Sequence, residues 1–325
     1  MNALPVLGID IAKAKFDVEL QFKDKPYRRT FCNQAADFAK LNAWLHQLGA
    51  PQVHACLEAT GVYGDELALF LHAGGHVVSI VNPAQIKAFG QSELSRTKTD
   101  KADAALIARF CHQKRPAAWT PPTPEIRELR ARVRRLEDLQ QMLNQEQNRL
   151  SSGLLSESIA SSLQASIAFL KAQIKQLLKQ IHAHIQQHPD LARQQALISS
   201  IDGLAELTAA KLIAEFQDIL GYGGGRPLAA QAGLTPRQHE SGSSVRGKPR
   251  LSKIGHARIR KALYMPAVVA MRHNPIIREF AEHLRQRGKH TMLIIGAVMR
   301  KLLHLVYGVL KSGKPFDPHY LKTGA

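Results

Sequence analysis

The chain opens on a short apolar run, Leu4 to Ile11. Strict alternation follows from Lys15 to Phe22, with Phe16, Val18, Leu20 and Phe22 on one side and polar residues on the other. A period of two is the mark of half-buried strands. These stretches therefore predict two strands joined by a tight connection, with Arg28 to Cys32 as a third. The period then lengthens. Phe38, Leu41, Leu45 and Leu48 recur at helical spacing between Asn33 and Leu48, and Gly49 stops them; Val53 to Leu57 is a strand leading into Glu58. Tyr63 to Ala73 predicts a helix closed by Gly74-Gly75, His76 to Val81 a fifth strand, and Pro83–Gly90 and Lys101–His112 two further helices. The order β-β-β-α-β-α-β-α-α predicts a mixed-sheet α/β domain over residues 1–115.

Beyond it the pattern is helical. Residues 116–124 are proline-rich and read as a linker. Leu129, Val133, Leu136, Leu139 and Leu143 stand three and four apart within Glu125–Leu150, and Ile167, Leu170, Ile174, Leu177, Ile181 and Ile185 repeat the spacing within Leu163–Ile185. Joined through the serine-rich stretch Ser151–Ser162, these predict an antiparallel coiled-coil hairpin over 125–188, a device that favours a homo-oligomer, dimer or tetramer. Residues 189–325 read as an all-α domain. Ala196–Phe216 is helix, turn, helix, and resembles a helix-hairpin-helix with Ala205 where a second glycine is usual; a plain αα-corner fits equally. Ala257–Met271 and the apolar run Thr291–Leu310 predict helices, the second interrupted by Arg300, Lys301 and His304 and so not read as a membrane span. Between them Gly233–Lys253 has scarcely an apolar anchor and reads as an exposed loop.

Charge names the class of partner. The net charge is +18, and residues 201–325 alone carry 20 Lys and Arg against 8 Asp and Glu. A polyanion, nucleic acid, is expected there. The side chains suited to phosphate oxygens are Arg237, Arg246, Lys248, Arg250 and Lys253 of the loop. Five arginines of the first hairpin helix, Arg127, Arg130, Arg132, Arg134 and Arg135, spread around it and suit either nucleic acid or a solvated face. Cys32, Cys56 and Cys111 are scattered, which excludes a zinc ribbon or a disulfide framework and points to a reducing cytoplasm. His182 and His184 read as surface residues. No secretory leader or lipidation signal is recognisable, so no membrane partner is expected.

The candidate chemistry lies in four acids. Asp100 and Asp103 stand three apart at the start of a helix, Asp10 ends the first strand and Glu58 follows the fourth. Polar residues at strand ends line the crevice of an open sheet, so acids from remote positions are expected to meet. Oxygen-only ligands of this kind suit Mg²⁺ or Mn²⁺, a recurrent device of phosphodiester chemistry. In the basic loop Ser241, Ser243 and Ser244 offer hydroxyls in a positive field, which serve either as nucleophile or as plain hydrogen-bonding groups.

The element order of the first domain is that of a ribonuclease H-like fold. Taken with it, Gly8-Ile9-Asp10, Leu57-Glu58-Ala59-Thr60-Gly61, Lys98-Thr99-Asp100-Lys101-Ala102-Asp103-Ala104 and Glu240-Ser241-Gly242-Ser243-Ser244-Val245-Arg246-Gly247 resemble the Piv-type DEDD transposases of bacterial insertion sequences, the group that includes the bridge-RNA-guided DNA recombinases. The resemblance implies a RuvC-like DEDD domain, a coiled-coil middle and a carboxy-terminal transposase domain. It implies Asp10, Glu58, Asp100 and Asp103 as metal-binding catalytic acids and Ser241 as a nucleophile that forms a phosphoserine link to DNA. It further implies donor and target DNA as substrates, a structured noncoding RNA that selects them, active sites composite between subunits, and a bacterial cytoplasm with nucleoid association. Three other functions fit parts of the sequence: a RuvC-like nuclease or junction resolvase using water, a non-catalytic nucleic-acid binder, and an ATPase of the actin and sugar-kinase clan. The last needs a second glycine-rich phosphate loop after a strand, whereas Gly221–Gly225 follows a helix-like segment.

Overall fold

The structure, a computed structural model, describes residues 4–59, 61–93, 99–153, 156–241 and 245–319, leaving aside the side chains at 62, 100–101, 238–241 and 245–249. The chain forms two compact units, 1–121 and 122–325.

In the first unit β1 (Val6–Ile11), β2 (Lys15–Phe22), β3 (Lys25–Cys32), β4 (His54–Glu58) and β5 (Val77–Val81) form one sheet in the order β3-β2-β1-β4-β5. The first three strands are antiparallel, and β1, β4 and β5 run parallel. The predicted third strand begins three residues earlier than expected, because Lys23 and Asp24 take positive φ (51° and 59°) and close a two-residue hairpin turn directly after Phe22. Alternation sends Leu7, Ile9, Phe16, Val18, Leu20 and Leu57 to one face, where α1 (Ala35–Gln47) and α2 (Asp65–Ala73) cover them through Phe38, Leu41, Leu45, Leu67 and Leu71. The other face carries Val6, Cys56 and Val81 and is covered by α3 (Pro83–Ser92) and α4 (Asp100–Lys114) through Ile86, Phe89, Ile107 and Ala108. The result is a three-layer α/β/α unit, consistent with the ribonuclease H-like expectation. The proline-rich stretch does not run free at its start. Trp119 N donates to Val78 O (2.6 Å), and Ser79 Oγ donates to the carbonyls of Pro116 and Ala117.

The second unit is helical: α5 (Pro124–Ser151), α6 (Glu157–Gln186), α7 (Pro189–Ser199), α8 (Glu206–Phe216), α9 (Gly225–Gln231), α10 (Ala257–His273), α11 (Pro275–Gln286) and α12 (Thr291–Ser312). The predicted hairpin is present as two long helices. His184 Nε2 meets Glu125 O (2.9 Å) and Arg132 Nη1 donates to Gln180 O (2.9 Å), so α5 and α6 run antiparallel, with Leu129, Val133, Leu136, Leu177, Ile181 and Ile185 buried in their cluster. Two expectations are corrected here. His184 is buried rather than on the surface, because its ring caps that carbonyl; His182 is exposed. Three of the five arginines of α5 are structural. Arg130 donates to Ala214 O, Arg132 pairs with Glu128, and Arg134 grips the buried Glu215 bidentately at 3.1 and 3.2 Å.

That last pair makes a prediction. Burial works against the Glu215 carboxylate, yet the Arg134 guanidinium, with Arg130 and Arg258 behind it, holds its pKa below the ordinary 4.5. A depressed folded pKa contributes stability above the ordinary value, and that stability is lost as pH falls through the folded one. Glu215→Gln is expected to cost about 2–3 kcal/mol at pH 7, with Arg134 one-third exposed and so partly compensated by water. The loss should shrink below about pH 4. Urea titrations at pH 7 and in mild acid check this; equal losses at both would refute the assignment of the pair.

The helix-turn-helix of α7 and α8 is present, and its turn is packed inward. Ile201 and Leu204 are buried, Asp202 O accepts from Asn274 Nδ2, and a Cβ on Gly203 would lie 2.7 Å from Ala270 Cβ of α10. This glycine serves helix packing, which favours the αα-corner of the two readings. The long apolar helix α12 is of a length and composition that would cross a membrane, and buries Ile294, Val298, Leu302, Leu303 and Val306 in the core of the unit.

The serine segment is the largest correction to the expected fold. Instead of a loop, β6 (Pro236–Ser241) and β7 (Val245–Leu251) pair antiparallel as a two-stranded hairpin, with a register shift between Arg237 and His239. Its stem is what anchors it. Ser252 N donates to Thr235 O, Lys253 N to Gly233 O and His256 N to Gln231 O, while a Cβ on Gly296 of α12 would lie 2.9 Å from the Leu251 side chain.

Candidate active site

Strand register places the acids of the first unit. β1 and β4 are parallel neighbours with Gly8 beside Cys56 and Ile9 beside Leu57, so Asp10 and Glu58 follow side by side, on strands about 4.8 Å apart. Both lie two residues beyond the Gly8–Cys56 pair and therefore on the face that α4 covers. α4 sits very close to that face: a Cβ on Gly8 would lie 2.3 Å from Ala104 O and Ala108 N. Farther along the helix Cys111 Sγ approaches His54 O at the start of β4 (4.0 Å). The helix thus runs opposite to β1, and its first turn lies at the end of the sheet that carries Asp10 and Glu58. Thr99 caps that turn, its Oγ1 accepting from Ala102 N (3.2 Å), and Asp103 N donates to Thr99 O. Asp103 is half-buried; Asp100 opens the helix, and its side chain lies outside the described residues.

A further acid of this face escaped the sequence. Asp17 on β2 is the cross-strand partner of Asp10 and is 4 % exposed. Its oxygens accept from Thr30 Oγ1 (2.5 Å) and Lys15 Nζ (3.3 Å). The signal was available, since the alternation that buries Phe16 and Val18 sends Asp17 to the opposite face. Asp17, Asp10 and Glu58 therefore form one row across three adjacent strands. Like charges directly opposite on neighbouring strands repel, and hard carboxylate oxygens are the donors that Mg²⁺ and Mn²⁺ prefer. In donor chemistry the site fits such a cation. Among the described residues no three acids, histidines or cysteines already converge into a ligand set.

The site residues of the second unit lie on the hairpin. Ser241 is the last residue of β6, paired with Val245, while Ser243 and Ser244 lie outside the described residues. Arg237 and Arg250 face each other across the two strands and are exposed, and Lys253 is exposed at the stem in a positive-φ conformation (55°). Arg246 and Lys248 belong to β7, with side chains outside the described set. The ATPase alternative loses its first loop here. Gly8-Ile9-Asp10 lies within a strand, and Gly8 is occupied in admitting α4 rather than in cradling phosphate.

Residues 7–160 match a DEDD-type family described as transposase, and residues 195–282 match the transposase IS116/IS110/IS902 family. The chain is 35 % identical over 314 residues to the pilin gene-inverting protein of Moraxella bovis, covering 96 % of this chain and 97 % of the relative. The pilin gene-inverting protein of Moraxella lacunata gives the same identity and coverage. The insertion element IS110 uncharacterized 43.6 kDa protein of Streptomyces coelicolor is 26 % identical over 137 residues, 42 % of this chain and 32 % of the relative. With acids in register at one end of a mixed sheet, and with relatives matched from end to end, the chain belongs to the IS110 family of transposases and is a DNA transposase or site-specific recombinase.

Proposed function

We propose that this recombinase cuts and rejoins DNA by a metal-dependent transesterification in which Ser241 is the nucleophile. The observation that carries the reading is the side-by-side ending of β1 and β4 at Asp10 and Glu58, with the first turn of α4 at the same end of the sheet. Asp10, Glu58, Asp100 and Asp103 hold a divalent cation, Mg²⁺ or Mn²⁺. When bound, it supplies polarisation of a phosphoryl oxygen and stabilises negative charge at phosphorus. The chain's own residues do the rest. The Ser241 hydroxyl attacks the scissile phosphorus, the bond to one deoxyribose oxygen breaks, and a phosphoserine ester forms, so the number of phosphoester bonds is conserved and no nucleotide cofactor is needed to reseal.

Arg237, Arg246, Lys248, Arg250 and Lys253, carried by the same hairpin and its stem, neutralise backbone phosphates. Residues 1–115 form the RuvC-like DEDD domain, 125–188 a coiled coil through which copies associate, and 189–325 the transposase domain that grips donor and target DNA. The charge excess of residues 201–325 also suits a structured guide RNA, which the family resemblance implies.

Trapping on a nicked or suicide DNA substrate tests the reading. A covalent protein–DNA adduct is expected whose peptide maps to Ser241 and which Ser241→Ala abolishes while DNA binding persists. Cleavage with no adduct would assign attack to water and make the protein a nuclease; an adduct mapped elsewhere would displace Ser241.

A further inference from the structure

The glycine run Gly221-Tyr222-Gly223-Gly224-Gly225, which is not placed as a nucleotide loop, brings α9 against α12. A Cβ on Gly225 would stand 2.9 Å from the Cα of His304 and 3.1 and 3.2 Å from its ring carbons Cγ and Cδ2. Any side chain there would push the two helices apart, and Arg226 follows at once on the first turn of α9. Arg300 precedes His304 by four residues on α12, so the two share one helical face.

The polar atoms on that face are unusual. Arg300 Nη1 and His304 Nε2 are both buried, and neither has a hydrogen-bond partner among the described residues. No carboxylate among the described residues pairs with Arg226, Arg300 or His304. Lys301 is turned to the ring of Phe280, at 6.0 Å. Burial first, then the charges of Arg300, Lys301 and Arg226, hold the His304 imidazole below its ordinary range. Leaving a buried donor unmade is costly, so a fold that retains one beside further cations is suited to an acceptor from outside. A guanidinium can only donate, and this excludes a metal ion as the missing group.

We propose that Arg226, Arg300 and His304 form a phosphate-binding notch between α9 and α12 that receives one backbone phosphate of bound DNA. The notch uses none of the residues proposed for the chemistry, and it stands whether serine or water attacks the scissile phosphorus. It contacts the backbone only, so it fixes how the DNA lies without reading sequence.

The test is the salt dependence of binding to a DNA duplex of arbitrary sequence, without divalent cation, for the whole protein and for Arg226→Gln, Arg300→Gln and the double variant. Each single change is expected to weaken binding about 3- to 10-fold and to lower the slope of log affinity against log salt by about one phosphate's worth. Because both arginines hold the same phosphate, the double variant should lose no more slope than either single one. Arg226 is exposed, so its variant reports even if Arg300→Gln misfolds. Unchanged slopes would mean that water alone fills the notch, and slope losses that add in the double variant would mean two independent contacts; either overturns the proposal.

Discussion

Asp10→Asn is expected to reduce strand cleavage by about a thousandfold or more while leaving DNA affinity and folding intact. Asparagine keeps the shape of the side chain and removes its charge, so the change isolates the electrostatic role. Loss of a single preorganised charge that acts on the transition state typically costs about 3–4 kcal/mol, which is that factor in rate. Asp10 ends β1 with Asp17 opposite it on β2 and Glu58 beside it on β4, a row of like charges across three strands. Because asparagine has the same shape, the melting temperature without metal should change little. A structural acid would behave the other way: stability would fall and cleavage would follow it. Single-turnover cleavage across a Mg²⁺ titration, beside thermal unfolding, separates the two, and a variant within about tenfold of the parent at saturating Mg²⁺ would remove Asp10 from the catalytic set.

Gly8→Ala should be the most damaging conservative change in the first unit. The added methyl would sit 2.3 Å from Ala104 O and Ala108 N, backbone atoms that cannot rotate away as a side chain can. α4 must then lift off the sheet, and overpacking of this kind costs about 3 kcal/mol or more. For a unit of this size the melting temperature should fall on the order of 10 °C. The first turn of α4 carries Asp100 and Asp103, so the displacement also moves two of the proposed ligands relative to Asp10 and Glu58. Cleavage should therefore fall more steeply than stability explains, even at temperatures where the variant remains folded. A variant that melts within about 2 °C of the parent would show that α4 has room to adjust and that the close approach is not required.

Much of this molecule is decided by local sequence. The alternation of Lys15–Phe22 and the helical spacing of Leu129–Leu143 each bury one face whatever surrounds them, so their period alone forecasts strand and helix. Asp10, Glu58, Asp100 and Asp103 could be proposed from the sequence because each stands at the edge of an element that its neighbours define.

Other features depend on which segments meet, and these only the tertiary structure decided. Asp17 looked like an ordinary polar position of an alternating strand until pairing with β1 set it opposite Asp10. The serine segment, with scarcely an apolar residue, read as a loop; it becomes a hairpin because Leu251 packs against Gly296 and the chain beyond it bonds to Gln231 and Gly233. His184 read as a surface residue and the arginines of α5 as facing either nucleic acid or solvent; His184 and three of the arginines acquired partners only when α5, α6 and α8 came together. Periodicity records what one element buries; a contact between remote elements is fixed by register and close approach, and these are written in no single stretch of the chain.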